Sequence, residues 1–248
     1  MARRLPLLLS VFFLIQFSVF SDSLTERLDT ISLFGSGKNL SFIISMEITG
    51  GRGTKSRTIE AFIQRDEKVS NILLQVTEPV FLRKMKFLQQ KDSKGRETIW
   101  MGTSSGIRRV SGRNSSERVF DSDFTVEDFS SVNSENYSFT ELTPDLSGGL
   151  RRDRIVCELL DTGGTAISKK KLYIDPDTDM LLQVDFLDTS DTLVKQYQVL
   201  ETQYIDGKPF PKICRMETIG SNSHTVLSIL EIDPATPIPD RKFNPGNL

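Results

Sequence analysis

The chain has 248 residues, with 31 Lys and Arg against 33 Asp and Glu, one His and two Cys. A formal net charge of −2 at pH 7 argues against a nucleic-acid partner, which demands concentrated positive charge. The length suits one sizeable domain and hardly two.

Residues 1–21 read as a secretory signal. Arg3 and Arg4 form a charged start, Leu5 to Phe20 is apolar except at Pro6, Ser10, Gln16 and Ser18, and Val19-Phe20-Ser21 offers a cleavage site. The run is too short and wrongly flanked for a membrane span, an uncleaved N-terminal anchor being the alternative. Cleavage near Ser21 leaves one domain over 22–248, exported and free in the export compartment. Removing Arg3 and Arg4 from the 31 cations leaves 29 against 33 acids, a net charge of −4. With no Cys near the cleavage point, the mature protein is not expected to be a lipoprotein itself.

Leu24, Leu28 and Ile31 recur at helical spacing before Gly35 and Gly37, which predicts a helix over Leu24 to Phe34. The period then changes to two. Leu40, Phe42, Ile44, Met46 and Ile48 alternate with mostly polar neighbours, as a strand with one apolar face does. Gly50 to Gly53 turn the chain, Ile59, Ala61 and Ile63 continue the alternation, and Ile72, Leu74 and Val76 follow. Phe81, Met85 and Phe87 are expected on one face of the next strand, with Lys84 and Lys86 on the other. Ile99-Trp100-Met101, a Gly-rich turn and Ile107-Arg108-Arg109-Val110 read as strand, turn, strand.

Thr125 and Asp128 fit a capping box, and Phe124 and Phe129 bracket that turn. A short helical segment is expected near Asp145 to Arg151. Strand signals recur at Tyr137–Leu142, Ile155–Leu160, Lys170–Ile174, Leu181–Leu187, Leu193–Glu201, Ile213–Ile219 and Thr225–Ile232. Turn chemistry such as Asp175-Pro176-Asp177 separates them. About a dozen strands with short turns predict a mainly β (α+β) fold built on a meandering antiparallel sheet, with no βαβ spacing. Its apolar face must be covered. The small helical content favours a curled sheet with a few helices at its mouth over a second sheet.

No nucleophile elbow, phosphate loop, zinc-protease motif or Cys cluster is present, so no cofactor and no metal is implied. His224 is the single catalytic candidate, and a solvated strand-edge residue is the plainer reading. Asp121, Asp123, Glu127 and Asp128 form an acidic cluster whose spacing fits helix-start capping better than a cation site. Arg108 and Arg109 suit one buried stem and one solvated cation, or a pair for these acids or a lipid phosphate. Cys157 and Cys214 either bond or remain separate buried thiols. The N-x-[ST] triplets at Asn39, Asn114 and Asn136 carry little weight.

The stretch from Trp100 through Arg108-Arg109 to Ser122-Asp123-Phe124 and Glu127-Asp128 resembles the outer membrane lipoprotein-sorting protein family, relatives of the periplasmic carrier LolA. Lys171-Leu172-Tyr173-Ile174-Asp175, Lys195-Gln196-Tyr197, Gly207-Lys208-Pro209-Phe210-Pro211, His224-Thr225 and Phe243 add to the match, which covers roughly Arg57 to Leu248. The family usually has Gly where this chain has Asp121. The resemblance implies an unclosed LolA-like β-barrel whose apolar concavity is lidded by helices and holds acyl chains. From the residues alone, the aromatic and aliphatic strand positions are an ordinary packed core. The resemblance turns Phe42, Ile44, Met46, Phe62, Phe81, Phe87, Trp100 and Phe186 into a candidate ligand cavity.

On that footing the protein is a binding module, a carrier of acylated lipoproteins or phospholipids towards the outer membrane. An inner-membrane transporter and an outer-membrane acceptor would be its partners. The alternatives are a lipid-ester hydrolase using the same cavity, with His224 and a serine such as Ser221 or Ser223, and an envelope-stress sensor of the same fold.

Overall fold

The computed structural model describes residues 24, 27–28, 31–34, 39–66, 69–110, 116–130, 132, 136–146, 149, 151–161 and 166–248. The expected signal 1–21 and the sequon at Asn114 lie outside them. The first strands run as the alternation dictates: β1 (Asn39–Gly50), β2 (Gly53–Arg65) and β3 (Ser70–Glu78). β4 (Lys86–Lys91), β5 (Glu97–Thr103) and β6 (Gly106–Val110) complete the first half. The second half holds β7 (Tyr137–Asp145), β8 (Arg152–Leu159), β9 (Lys169–Ile174) and β10 (Leu181–Leu187). It ends with β11 (Leu193–Ile205), β12 (Lys208–Thr218) and β13 (Ser223–Asp233).

All of them join one 13-stranded sheet in the order β6-β5-β4-β3-β2-β1-β13-β12-β11-β10-β9-β8-β7. Neighbours are antiparallel, and each half is a plain meander. The halves meet where β1 pairs with β13, from Ser41↔Asp233 to Thr49↔His224. β6 and β7 are therefore the two free edges and do not pair, so the sheet is not closed. They are consecutive in sequence and lie at opposite edges of the sheet, and the described residues between them include the segment 116–130.

That segment distinguishes the two faces. The inner face carries the large core: Phe42 and Ile44 on β1, Ile59 on β2, Phe87 on β4, Phe186 on β10 and Tyr197 on β11 are all at or below 2 % exposure. The same segment adds Phe120, Phe124 and Val126 to that core, and Leu24, Leu28 and Phe34 join it from the N-terminal side. The outer face of β2–β5 has its own cluster of Phe62, Leu73, Leu88 and Trp100, covered by Ile238, Phe243 and Leu248 of the C-terminal tail.

One local expectation fails for a physical reason. Pro79 has no N–H to give a sheet and ends β3. The chain then makes a 3-10 turn at Val80–Leu82, and β4 begins only at Lys86. Phe81 and Phe87 thus share no strand face: Phe81 is 81 % exposed, whereas Phe87 is fully buried. Near Asp145, β7 runs to Asp145, paired with Arg152, and within the helical segment expected over Asp145 to Arg151 the described Gly149 is 3-10 helical. In the first predicted helix, residues 24, 27 and 28 are helical, while Ile31 to Phe34 are not.

Candidate functional site

The segment from Glu117 to Phe129 is a strap across the inner face, and polar side chains hang it there. It first folds on itself. The Val119 N–H donates to Phe124 O at 2.8 Å and the Val126 N–H to Glu117 O at 2.9 Å. The Ser122 hydroxyl donates to Val119 O at 2.6 Å and accepts from the Phe124 N–H at 3.1 Å. Phe120 and Asp121 sit at φ 56 and φ 57, the left-handed region. Glycine reaches that region without cost, and Asp tolerates it better than most residues. This accounts for Asp121 where the resembling family has Gly.

Asp123 is the deepest anchor. Its side chain has no exposed surface and accepts from the hydroxyls of Thr218, Ser223 and Thr225, each at 2.8 Å. Arg118 Nη2 stands 3.7 Å away. Burying a carboxylate is tolerable only when its lone pairs are met, and here β12 and β13 meet them. Asp128 is the second anchor. Its Oδ2 accepts from the Thr125 N–H at 2.6 Å and from the Thr125 hydroxyl at 3.0 Å, which supplies the carboxylate half of the expected box on a 3-10 turn, Val126–Phe129. Lys195 of β11, 5 % exposed, donates to the same oxygen at 2.5 Å.

On the first half of the sheet, Arg57 of β2 reaches Asp121 at 3.1 Å, Gln89 of β4 donates to Phe129 O at 2.5 Å, and Arg108 of β6 bridges Glu117. Arg109 points outward, with Thr98 at 3.5 Å. Of the sequence-predicted motif residues, the structure gathers Arg108, Ser122, Asp123, Phe124, Glu127 and Asp128 in or against the strap and leaves Arg109 outside.

Beneath the strap lies a charged pocket of side chains. Lys170 of β9 is 5 % exposed. Its ammonium lies 5.6 Å from the Phe186 ring centre, and that of Lys195 lies 5.3 Å from the same ring. Burial works against the Lys170 charge, but Tyr137, Asp128 and Glu127 outweigh it and hold its pKa above the ordinary lysine value. Burial raises the Glu127 pKa, with Lys170 opposing. Two cations and two carboxylates thus balance in a water-poor place.

The candidate cavity residues divide. Phe42, Ile44, Met46, Phe87 and Phe186 belong to the inner core. Phe42 stacks between Phe34, at 6.4 Å, and Phe210, at 5.4 Å, while Phe87 meets Phe129 of the strap at 4.7 Å. Phe62 and Trp100 lie on the outer face, and Phe81 is exposed, so these three are not brought together with the rest.

His224 sits on β13 opposite Thr49 and Glu217. Its neighbouring serines point their hydrogens elsewhere: Ser221 donates to Thr218 O at 2.9 Å and Ser223 to Asp123 at 2.8 Å. Cys157 on β8 and Cys214 on β12 are buried free thiols, with β9, β10 and β11 between their strands. Burial pushes both up to about 12.

A family model described as an uncharacterized protein matches residues 68–248. The chain belongs to that family, and its fold is LolA-like. A DUF1329 family protein from Desulfovibrio piger superposes with a TM-score of 0.77 at 19 % identity, covering 91 % of this chain and 96 % of the other. A putative outer membrane lipoprotein-sorting protein domain from Vibrio parahaemolyticus gives 0.75 at 20 % identity, covering 85 % and 91 %. A LolA superfamily protein from Nitrosomonas europaea gives 0.68 at 18 % identity, covering 92 % and 98 %. No curated protein matches the sequence.

In this LolA-like chain, sequence reading gave no site role to Arg57, Tyr137, Lys170 or Lys195. A signal for the lysines existed. Lys170 stands two residues before Leu172 and Lys195 two before Tyr197, so strand parity already turns both ammoniums inward.

Proposed function

We propose that the protein is a periplasmic carrier that holds acyl chains of lipoproteins or phospholipids against the inner face and passes them on towards the outer membrane. One observation carries this reading. Among the described residues the apolar inner face of the sheet is covered by the strap, hung largely on side-chain hydrogen bonds and ion pairs, together with Leu24, Leu28 and Phe34, where a sandwich would place a second sheet. In the carrier the two halves curl towards each other as an unclosed barrel. An acyl chain displaces the Phe34, Phe124 and Phe129 rings from the Phe42, Ile44 and Phe87 surface. Each buried methylene contributes about 0.8 kcal/mol, so only an acceptor that offers equal burial unloads the carrier. No bond is made or broken.

The test is incubation of the mature protein with a labelled phospholipid, followed by gel filtration and analysis for free fatty acid. The carrier retains intact lipid. Failure to retain any lipid overturns the reading, and so does release of fatty acid that vanishes in His224→Ala.

A further inference from the structure

β12 and β13 pair from Thr218↔Ser223 at their turn to Ile213↔Ser228 and then part. β13 continues on β1 through Ile229, Glu231, Ile232 and Asp233, with Leu230 bulged out. β12 continues on β11 through Phe210 and Lys208. No described strand pairs with the other edge of either segment. The cause can be read in Lys208-Pro209-Phe210-Pro211. Asp206 and Gly207, at φ 50 and φ 75, form the two-residue loop of the β11–β12 hairpin, closed by Ile205↔Lys208. The closing pair of such a hairpin is hydrogen-bonded, so Lys208 and Phe210 turn their N–H groups to β11 and positions 209 and 211 face β13. Both of those positions are proline, and neither has an N–H. The Pro211 carbonyl turns to the Gln203 amide, 3.5 Å away. Phe210 meanwhile pins β12 to the core through Phe42, at 5.4 Å. The prolines therefore split the sheet locally without loosening the strand.

At this end of the sheet a pocket of about 420 Å3 is lined by the end of β11 and the end of β13. Its surface is more polar than apolar, as an unpaired strand edge would be, with Tyr204, Ile229 and Leu230 beside it, and its charged lining residues are Asp206 and Glu231, both acids. Tyr204 is 75 % exposed and Leu230 60 %, side chains of a size that a closed surface seldom offers together.

We infer that this slot is a docking site for an extended peptide of a partner protein, one with apolar side chains and Lys or Arg among them, added as a strand to the Ile229–Asp233 edge of β13. Main-chain hydrogen bonds supply the affinity of such strand addition and side chains its selectivity. Here the two carboxylates select a basic sequence. The inference stands apart from the carrier reading, since the slot lies at the sheet end and needs no lipid.

The experiment uses the mature protein and a labelled synthetic peptide of alternating lysine and valine, followed by fluorescence anisotropy and by amide hydrogen exchange. Those amides of residues 229–233 that turn away from β1 exchange quickly in the free protein and become protected when the peptide binds one to one. Glu231→Lys weakens binding about tenfold, as loss of one attraction and gain of one repulsion predict, and added salt weakens the wild type. Pro209→Ala with Pro211→Ala restores both donors, lets β12 zip onto β13, and abolishes binding in a protein that melts no lower than wild type. Glu231→Lys keeps the test decisive if the proline variant fails to fold. Slow exchange in the free protein at the amides of 229–233 that turn away from β1, absence of peptide binding, binding indifferent to Glu231→Lys, or dimerisation through this edge would each overturn the inference.

Discussion

Asp123 is a carboxylate sealed from solvent and held by three hydroxyls from β12 and β13. Removing it orphans those hydroxyls and unhooks the strap, so Asp123→Ala is expected to cost about 3–5 kcal/mol in urea unfolding, the scale for breaking a buried charged network. Thr125→Ala should cost about 1 kcal/mol, because Asp128 keeps Lys195 and the Thr125 N–H. Glu127 gives a pH signature. Its folded pKa lies above the ordinary 4.5, because burial disfavours its charge. A raised folded pKa contributes stability below the unfolded value and loses it as pH climbs through the folded one. Glu127→Gln should therefore gain on the wild type in urea midpoint between pH 4 and pH 7. The thiols follow the same sign. With Cys157 and Cys214 at about 12 against 9.0 unfolded, their contribution is whole below pH 9.0 and fades towards 12. Both should resist alkylation at pH 8 until the protein is unfolded.

At the scale of the element, strand parity explains both what the sequence discloses and what it hides. In β2, Ile59, Ala61 and Ile63 are buried on the inner face. Phe62 lies between two of them and must point the other way. Trp100 stands likewise between Ile99 and Met101, which both face the inner core. Parity thus separates these aromatics from the cavity set, although pooling residues by type had joined them. What parity cannot supply is the cover on the far side. The tail docks there through long-range contacts, with Gln64 donating to Asp240 at 2.9 Å and the Lys242 ammonium 3.5 Å from the Phe62 ring centre. No local pattern encodes such contacts. Because Trp100 is the single tryptophan and packs in that cluster, its fluorescence reports the docking. Phe243→Ala should shift its emission to the red and cost about 3–5 kcal/mol; an unchanged spectrum would mean that the tail does not seal this face.

For the whole molecule, the alternation of apolar residues and the short polar turns made the antiparallel meander legible. The pairing of β1 with β13 was not, since it joins the ends of the domain and leaves β6 and β7 as edges. The strap follows from that topology: consecutive strands at opposite edges require a crossing segment, and the Ser122–Asp128 motif is what fixes it to the inner face. The central claim is that this strapped face trades its own rings for acyl chains. Native mass spectrometry of residues 22–248 after loading with a phospholipid tests it most directly. The account predicts a one-to-one lipid adduct on the wild type that is absent in Ile44→Asp, where an unpaired carboxylate faces the apolar surface. A wild-type spectrum with no adduct, or an adduct equally present in a folded Ile44→Asp, would contradict it.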